Sequence, residues 1–332
     1  MSSLWLVDSM TPKPYTFANV DRPGLGGTER MLAYVGQHLA GLHQVVVFQQ
    51  NLMIQDHLEG VSYKPLHTLF KRELLSDPSH IVVINSWKLA LKIKKSRPLS
   101  KVIVWLHVFP GKHNRRMGSI LAELDIQVIC VSNAHKTKFT QWCQQYGPVP
   151  KTHVIHNMIA PDFINRNVGR DPNQLLFASS PHKGLKQTLS IFEKLRAIKP
   201  SLHLTVCSPG YLKWDLGHIP DQVNFLNTLK RNELSQLMSE SLCLFYPQTE
   251  FEETFGMVIA EANACGLPTL VHRSLGANAE VVSSDEQLID GNELDVIVSR
   301  ITQWQQTLPE VSARPQFLPN DVLTKWKNLM AA

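Results

Sequence analysis

The sequence contains no Cys-x-x-Cys pair and no His-x-x-x-His pair, although it has 5 cysteines and 14 histidines. Such spacings are frequent in protein metal sites, so a bound metal is not expected. The cysteines are scattered, and Cys130, Cys207 and Cys243 lie in apolar, strand-like runs. Dispersed thiols of this kind are typical of a reducing compartment. We therefore expect all five to be reduced, in a cytoplasmic protein.

The sequence also lacks any apolar run of about 18 residues, which a membrane-spanning helix would need. Its first ten residues, MSSLWLVDSM, have neither a basic start nor a long apolar middle, so they do not resemble a secretory signal peptide. Residues 4–7 instead predict a first β-strand.

The length of 332 residues predicts two domains, and the apolar fraction of 43% suffices for a sizeable core. The net charge of +5 is unevenly placed. Residues 1–160 carry 18 Lys+Arg against 9 Asp+Glu, whereas residues 161–332 carry 15 against 19. This asymmetry indicates different partners for the two halves, and the basic half suits an anionic acceptor or a membrane surface.

Short apolar runs separated by helical patterns occur in both halves, as expected for parallel sheets covered by helices on both faces. The predicted strands are 4–7, 45–48, 81–84, 102–106, 128–131 and 154–156, then 175–178, 202–206, 223–226, 242–246 and 269–271. The polar segment 157–172 reads as a linker. We therefore predict a domain at 1–160, a second at 173–316 and a helix at 317–332, with a ligand cleft at the carboxyl ends of the sheets.

The most informative stretch is 251–268, which reads FEETFGMVIAEANACGLP. Its apolar segment predicts a buried helix that starts near Gly256, and Gly266 followed by Pro268 is a helix-ending pattern. Free N–H groups at the helix start would point at a ligand, with Glu253 at the mouth and Glu261 two turns further along. This arrangement suits a polar, anionic ligand with several hydroxyls. The structural alternative is a buried helix whose glutamates only cap and pair.

This stretch resembles the signature of the retaining glycosyltransferases of family 4, which have the GT-B architecture. VSNAHKTKF, VIHNMIAPDF and GANAEVV also resemble landmarks of that family, in the family's order, between about residues 24 and 282. The resemblance implies two doubly wound Rossmann-like domains that face each other across a cleft, and leaves open whether the C-terminal helix returns to the first domain. It implies that the donor is a nucleotide diphosphate sugar, expected to be of UDP or GDP type. It also implies that no metal is required.

The resemblance assigns catalytic roles to His107, Glu253 and Lys183. Glu253 would bind hydroxyls of the donor sugar, Lys183 would neutralise the diphosphate, and His107 would face the sugar near its reacting carbon. The remaining donor contacts would come from a glycine loop, from the segment SSPHKGLKQ and from the 251–268 stretch: Gly26, Gly27, Ser180, Phe255, Gly256, Met257 and Glu261. Glu261 would accept hydrogen bonds from the ribose diol.

The sequence departs from the family pattern at one position. The family commonly has an Arg about five residues before the Lys of this segment, whereas this chain has Ala178, Ser179 and Ser180 there. A hydroxyl cannot replace a guanidinium in binding a diphosphate. Either another cation such as Lys186 or Arg231 supplies that charge, or the diphosphate is held more weakly.

Two basic stretches lie in the first half. One comprises Lys88, Lys92, Lys94, Lys95, Arg97 and Lys101. The second comprises Lys112, Arg115 and Arg116, soon after His107, and we assign it to an anionic acceptor or a lipid headgroup. Solvated helix face and membrane attraction both remain open for the first. Nucleic acid is not expected, because aromatic residues are not interleaved with these cations along the sequence.

The sequence thus predicts a metal-independent, retaining hexosyltransferase that moves a sugar to a glycan, polysaccharide or lipid-linked acceptor. We expect it in the cytoplasm, with contact to the inner face of the membrane left open. Two alternatives remain: a sugar-nucleotide epimerase of the same architecture, and a catalytically inactive GT-B binding subunit. The missing Arg sustains the second alternative.

Overall fold

A computed structural model describes residues 2–22, 24–71, 77–207 and 217–331. Pro23, part of the Gly/Pro loop noted in the sequence, lies outside the described residues. The chain forms two compact units. The first comprises Met1–Val20, Gly27–Asn157 and Asn320–Ala332, and the second comprises Asp21–Gly26 and Met158–Pro319.

The elements follow one another in an alternating α/β order. The first half contains β1 (Ser2–Asp8), α1 (Gly27–Leu39), β2 (His43–Gln49), β3 (Asp56–Leu58), β4 (Val61–Pro65), β5 (His80–Ile84), α2 (Trp87–Ser96), β6 (Lys101–Leu106), α3 (Met117–Glu123), β7 (Gln127–Cys130), α4 (Asn133–Gln144) and β8 (Thr152–Val154). The second half contains β9 (Gln174–Phe177), α5 (Leu185–Ile198), β10 (His203–Cys207), β11 (Val223–Leu226), α6 (Arg231–Glu240), β12 (Cys243–Tyr246), α7 (Met257–Ala264), β13 (Thr269–His272), α8 (Asn278–Val281), β14 (Leu288–Ile289), α9 (Leu294–Gln306) and α10 (Pro319–Ala331).

The first unit contains an eight-stranded sheet in the order β3-β4-β2-β1-β5-β6-β7-β8. Its strand pairs are parallel except β3–β4. Helices α2, α3 and α4 share a core cluster on one face of this sheet. On the other face, Gly36 of α1 packs close to Leu6 and Val47. Because both faces are covered, the central strands are apolar at successive positions rather than alternating.

The C-terminal helix α10 belongs to the first unit from Asn320 onward. Its Trp326 ring lies 4.7 Å from the Trp105 ring of β6 in an edge-to-face arrangement. Val104 and Leu106 point into the cluster with α2–α4, so Trp105 points to the opposite face, where α10 packs.

The second unit contains a parallel sheet of six strands in the order β11-β10-β9-β12-β13-β14. The predicted α/β class with two doubly wound sheets is confirmed. The prediction of a strand at 154–156 was displaced, because β8 pairs with β7 only over Thr152–Val154. Within the described residues, no helix combines the length and the apolar character needed to cross a bilayer.

Candidate functional site

The second sheet changes direction between β9 and β12, which are neighbours although β10 and β11 separate them in the chain. Connections leave these two strands towards opposite sides, which opens a crevice at their carboxyl ends. β9 ends at Phe177 and β12 ends at Tyr246, so the segments 178–184 and 247–256 meet at this edge. This edge is where a doubly wound sheet usually binds its ligand.

Lys183 and Glu253 form an ion pair at this edge. The Lys183 Nζ lies 2.9 Å from Glu253 Oε1 and 2.9 Å from Oε2. The Tyr246 hydroxyl donates to Oε1 at 3.2 Å. The Glu253 side chain is 6% exposed, whereas that of Lys183 is 26% exposed. The site therefore holds a buried carboxylate with three hydrogen bonds and an ammonium that stays accessible to a ligand.

The backbone at Gly184 sets the position of Lys183. Gly184 precedes α5 with φ +82°, in the left-handed region, and an added Cβ would lie 2.6 Å from the Gln248 Cβ. Glycine is required there for both reasons. The Lys183 N–H donates to the Ser180 carbonyl at 2.9 Å, and the Lys183 ammonium lies 4.9 Å from the centre of the Phe251 ring.

Two glutamines fix the loop that carries Phe251. Gln248 Oε1 accepts hydrogen bonds from the Glu250 and Phe251 N–H groups, and its Nε2 donates to the Phe251 carbonyl. Gln187 of α5 accepts from the Thr249 N–H at 2.7 Å and donates to the Thr249 hydroxyl at 2.9 Å. Because its polar groups are satisfied internally, this loop is preorganised.

Helix α7 begins beside the ion pair. Gly256 precedes it with φ +89°. As at any helix start, the first N–H groups of α7 have no partners within the helix. Phe255 is buried, with its ring 5.0 Å from that of Phe317. The Ala277 N–H donates to the Glu253 carbonyl at 3.0 Å, and a Cβ on Gly276 would lie 2.4 Å from that oxygen. The Glu253 backbone is thus packed closely against the segment 276–277.

Glu261 lies in the middle of α7 and is buried, at 9% exposure. Burial lowers the pKa of the Arg231 guanidinium, and the charge of Glu261 opposes that shift. Arg231, the first residue of α6, also lies 3.4 Å from Asp162 and pairs with Asp21. Arg231 is therefore engaged by carboxylates of its own unit, whereas Lys186 in the first turn of α5 is exposed.

Burial and the charges of Lys183 and Glu253 shift the pKa values of two neighbouring groups, Tyr246 and His182. The pKa of Tyr246 is raised well above its usual range, chiefly by burial and then by the charge of Glu253. The pKa of His182 is lowered by burial and by Lys183, and Glu253 opposes this effect. Tyr246 is thus a permanent hydrogen-bond donor at neutral pH.

The first unit presents His107 at the carboxyl end of β6. Its backbone N–H donates to Asn85 Oδ1 at 2.7 Å, and its ring lies 4.7 Å from that of Trp105. Burial, with a smaller contribution from His135, lowers the pKa of His107 to about 3. Burial lowers the pKa of His135 to about 4. Both imidazoles are therefore neutral at physiological pH.

Comparison with protein families places a known domain over this site. Residues 164–307 match the family model described as Glycosyl transferases group 1. This matched range lies in the second unit, which is thus similar to group 1 glycosyl transferases over that range. Lys183, Glu253 and Glu261 all lie inside the matched range.

Two characterised relatives are sugar transferases by name. A phosphatidyl-myo-inositol mannosyltransferase of Propionibacterium freudenreichii is 33% identical over 109 residues, which cover 33% of this chain and 27% of the relative. A lipopolysaccharide 1,2-N-acetylglucosaminetransferase of Salmonella typhimurium is 23% identical over 252 residues, covering 65% of this chain and 63% of the relative. The chain thus spans less than two thirds of the length of either relative.

Solved structures show the same fold over the whole chain. The sucrose-phosphate synthase of Thermosynechococcus elongatus superposes with a TM-score of 0.72 at 13% identity, covering 99% of this chain and 98% of that protein. This likeness confirms the predicted GT-B fold class.

The second unit brings together several residues that the sequence singled out. Lys183 and Glu253 are in direct contact, Ser180 lies in the same loop, and Phe255, Gly256 and Met257 form the start of α7. Gly26 belongs to the second unit, whereas Gly27 belongs to the first and begins α1. The functional roles of these residues stay predictions.

Sequence reasoning gave no role to four residues that organise this site: Tyr246, Gln248, Phe251 and Gln187. Phe251 and Gln187 lie in stretches that the sequence singled out, whereas Tyr246 and Gln248 do not. The Gln187–Thr249 contact spans 62 residues of sequence and the Lys183–Phe251 contact spans 68, so no local spacing marks them. Among the described residues, no group of three or more His, Cys, Asp or Glu side chains is placed to hold a metal ion. Metal independence stays a prediction.

Proposed function

We propose that the protein is a retaining glycosyltransferase that takes a sugar from a nucleotide diphosphate sugar, of UDP or GDP type, without a metal ion. The proposal rests on one observation above all. The Lys183–Glu253 pair lies at the direction change of the sheet in a group 1 domain, beside the start of α7. A carboxylate, an ammonium and free helix N–H groups at one edge match the hydroxyls and the diphosphate of such a donor.

The relatives' names support a lipid-bearing or glycan acceptor, because one names phosphatidyl-myo-inositol and the other names lipopolysaccharide. We propose a glycan, polysaccharide or lipid-linked sugar as acceptor, with a cytoplasmic protein that works at the inner face of a membrane. A hexose is the proposed transferred group.

In the proposed reaction, Glu253 accepts hydrogen bonds from donor-sugar hydroxyls and Lys183 turns from Glu253 towards the diphosphate. The bond between the anomeric carbon and the phosphate oxygen breaks, and the acceptor oxygen bonds to that carbon from the same face. The acceptor proton goes to the departing phosphate oxygen. Glu261 binds the ribose diol, and His107, neutral because it is buried, offers a hydrogen bond to the sugar.

A second candidate function is a catalytically inactive binding subunit of the same fold. Ser179 and Ser180 stand where the family commonly has an Arg, and Arg231 is engaged by Asp162. Lys183 is paired with Glu253, which leaves Lys186 as the exposed lysine of the described segment 179–187 for a diphosphate. A diphosphate leaving group that meets so few cations is stabilised only weakly. This impairs catalysis more than it impairs binding alone.

The deciding experiment has two stages. Thermal unfolding is first measured with UDP-, GDP-, ADP- and TDP-sugars, since a ligand of the native state raises the melting temperature. Nucleotide release is then measured with and without acceptor for any sugar that binds. Glu253→Gln should lose binding and release, whereas Glu286→Gln, an exposed glutamate in the same unit, should keep both. Binding without turnover would select the second candidate, and absence of binding would overturn both.

A further inference from the structure

The positive charge of the chain is concentrated in one segment. Residues 78–161 contain 12 Lys and Arg but only two acids, Glu123 and Asp125. The chain as a whole carries a net charge of +5. The rest of the protein is therefore net negative, and this segment alone makes it basic.

The fold places this segment on one face of the first unit. Helices α2, α3 and α4 contribute Ala90, Ile93, Met117, Leu121 and Phe139 to the same core cluster. Their opposite sides therefore point away from the sheet. The segment's cations on these helices consequently share one outer surface rather than surrounding the unit.

Six exposed cations form the part of this surface that we call the cationic face: Lys88, Lys92, Lys95, Lys112, Arg115 and Arg116. The three lysines follow a helical stripe on α2, opposite the buried Ala90 and Ile93. The other three lie in the turn that leads into α3. Trp87 Nε1 donates to Asn114 Oδ1 at 2.9 Å, which joins the start of α2 to that turn.

The cationic face has no internal counter-charge among the residues that the structure describes, since no ion pair to any of the six occurs there. Two neighbouring cations, Arg97 and Lys94, instead have partners within the protein. Arg97 pairs with Asp77, and Lys94 Nζ donates to the Pro98 and Ser100 carbonyls at 3.1 Å. The six are thus available to an external anion.

Aromatic rings lie among these cations, which differs from the expectation drawn from their order in the sequence. Arg115 lies 5.6 Å from the centre of the Tyr146 ring, and Lys88 lies 5.9 Å from that of Trp87. Tyr146 is 39% exposed and Val108 is 51% exposed. The separation of aromatic residues from these cations along the sequence therefore does not exclude nucleic acid, because rings and cations meet in the folded protein.

We propose that the cationic face docks the protein onto an anionic lipid bilayer. The six charges are spread along a helix and an adjoining turn instead of converging on one point, which fits a planar array of phosphate groups. Long Lys and Arg stems suit the boundary between headgroups and water. Nucleic acid fits less well, because the Trp87 and Tyr146 rings are already covered by Lys88 and Arg115.

Vesicle co-sedimentation tests this proposal. The whole chain is mixed with phosphatidylcholine vesicles with or without phosphatidylglycerol, and the bound fraction is measured as lipid is titrated. We expect binding that needs phosphatidylglycerol and weakens as salt is raised. The double variant Lys92→Gln, Lys95→Gln should bind about 30-fold more weakly, since each cation near such a surface adds roughly fivefold. Neither lysine makes a hydrogen bond or ion pair among the described residues, so folding should be unaffected.

The matched control is Lys194→Gln, Lys327→Gln, which removes the same charge from exposed positions on α5 and on α10. An equal loss in this control, or no dependence on phosphatidylglycerol in the unchanged protein, would overturn the proposal. Tighter binding to single-stranded oligothymidylate than to the vesicles, lost in the Lys92/Lys95 variant, would assign the face to nucleic acid instead. Sedimentation needs no sugar donor, so its failure would remove the proposed membrane location but leave the proposed sugar transfer standing.

Discussion

Lys183 and Glu253 satisfy one another, with the ammonium 2.9 Å from each carboxylate oxygen. A donor that needs the carboxylate for its hydroxyls and the ammonium for its phosphates must break this pair. The pair therefore opposes donor binding by the free energy of its own contact, while it holds the Glu253 carboxylate in place.

Replacing Lys183 should destabilise the protein as well as weaken donor binding. Lys183→Met leaves Glu253, which is 5% exposed, without its counter-charge. We expect a loss of about 1–3 kcal/mol in the free energy of unfolding, less than for a fully buried pair because Lys183 reaches solvent. Urea unfolding measures it. Lys183→Met combined with Glu253→Gln should recover part of the loss, and strict additivity of the two changes would contradict a direct pair.

Tyr246 should act by positioning Glu253. Tyr246→Phe removes one hydrogen bond to the carboxylate but keeps the ring packed 5.6 Å from that of Phe177. We expect about 1 kcal/mol lower stability and a weaker melting-temperature response to the donor. Tyr146→Phe, at an exposed tyrosine of the first unit, is the control and should change neither. A Tyr246→Phe protein with an unaltered donor response would show that the hydroxyl does not orient Glu253.

Gly276 should tolerate no side chain. Its φ is +56°, and a Cβ would lie 2.4 Å from the Glu253 carbonyl oxygen and 2.7 Å from its nitrogen. Gly276→Ala should therefore cost about 2–4 kcal/mol, combining left-handed strain with a backbone clash. Gly169→Ala is the matched control, because nothing lies within 4 Å of its added Cβ. Equal unfolding midpoints for the two variants would refute this account.

Stability should fall as the pH is lowered below about 6.5, because His107 and His135 are buried with depressed pKa values of about 3 and about 4. The unfolded chain binds protons at these positions near its ordinary pKa, whereas the folded protein does not. The stabilisation is present above that pKa and is lost as the pH falls towards the folded values. Each histidine should contribute on the order of 1 kcal/mol per pH unit.

Denaturant unfolding between about pH 7 and pH 5 measures this dependence. The slope of the unfolding free energy against pH should be smaller in His135→Asn, even if that variant is less stable at every pH. A slope that the substitution leaves unchanged would assign the acid sensitivity to other groups, such as His80, whose pKa burial also lowers.

Local signals in the sequence were sufficient for α7. Gly256 and Gly266 both have positive φ in the structure, and the helix runs between them over Met257–Ala264 as predicted. The Ser132 side chain accepts from the His135 N–H and caps α4, as a serine directly before a helix commonly does. Such boundaries were predictable because a few adjacent residues decide them.

Contacts between distant segments were not predictable. The hydrogen bonds of Gln187 to Thr249 and of Asn263 to Gln287 depend on which strands become neighbours. The short antiparallel pair of Asp56–Leu58 with Val61–Pro65 was also not predicted, because the first strand has only 3 residues and none of them is buried. The site was therefore predictable as a set of residues from resemblance, but its hydrogen bonding was not.

Trp326 can pack on Trp105 only after the ribosome has synthesised the second unit, because α10 is the last helix of the chain. A ribosome completes residues 158–319 of the second unit before it makes α10. Until then, the face of the first sheet that carries Trp105 lacks the helix that packs on it. An early apolar surface of this kind is a point where a growing chain can aggregate or recruit a chaperone. A fragment that stops at Asn157 should behave in the same way, as a sheet with one of its largest side chains exposed.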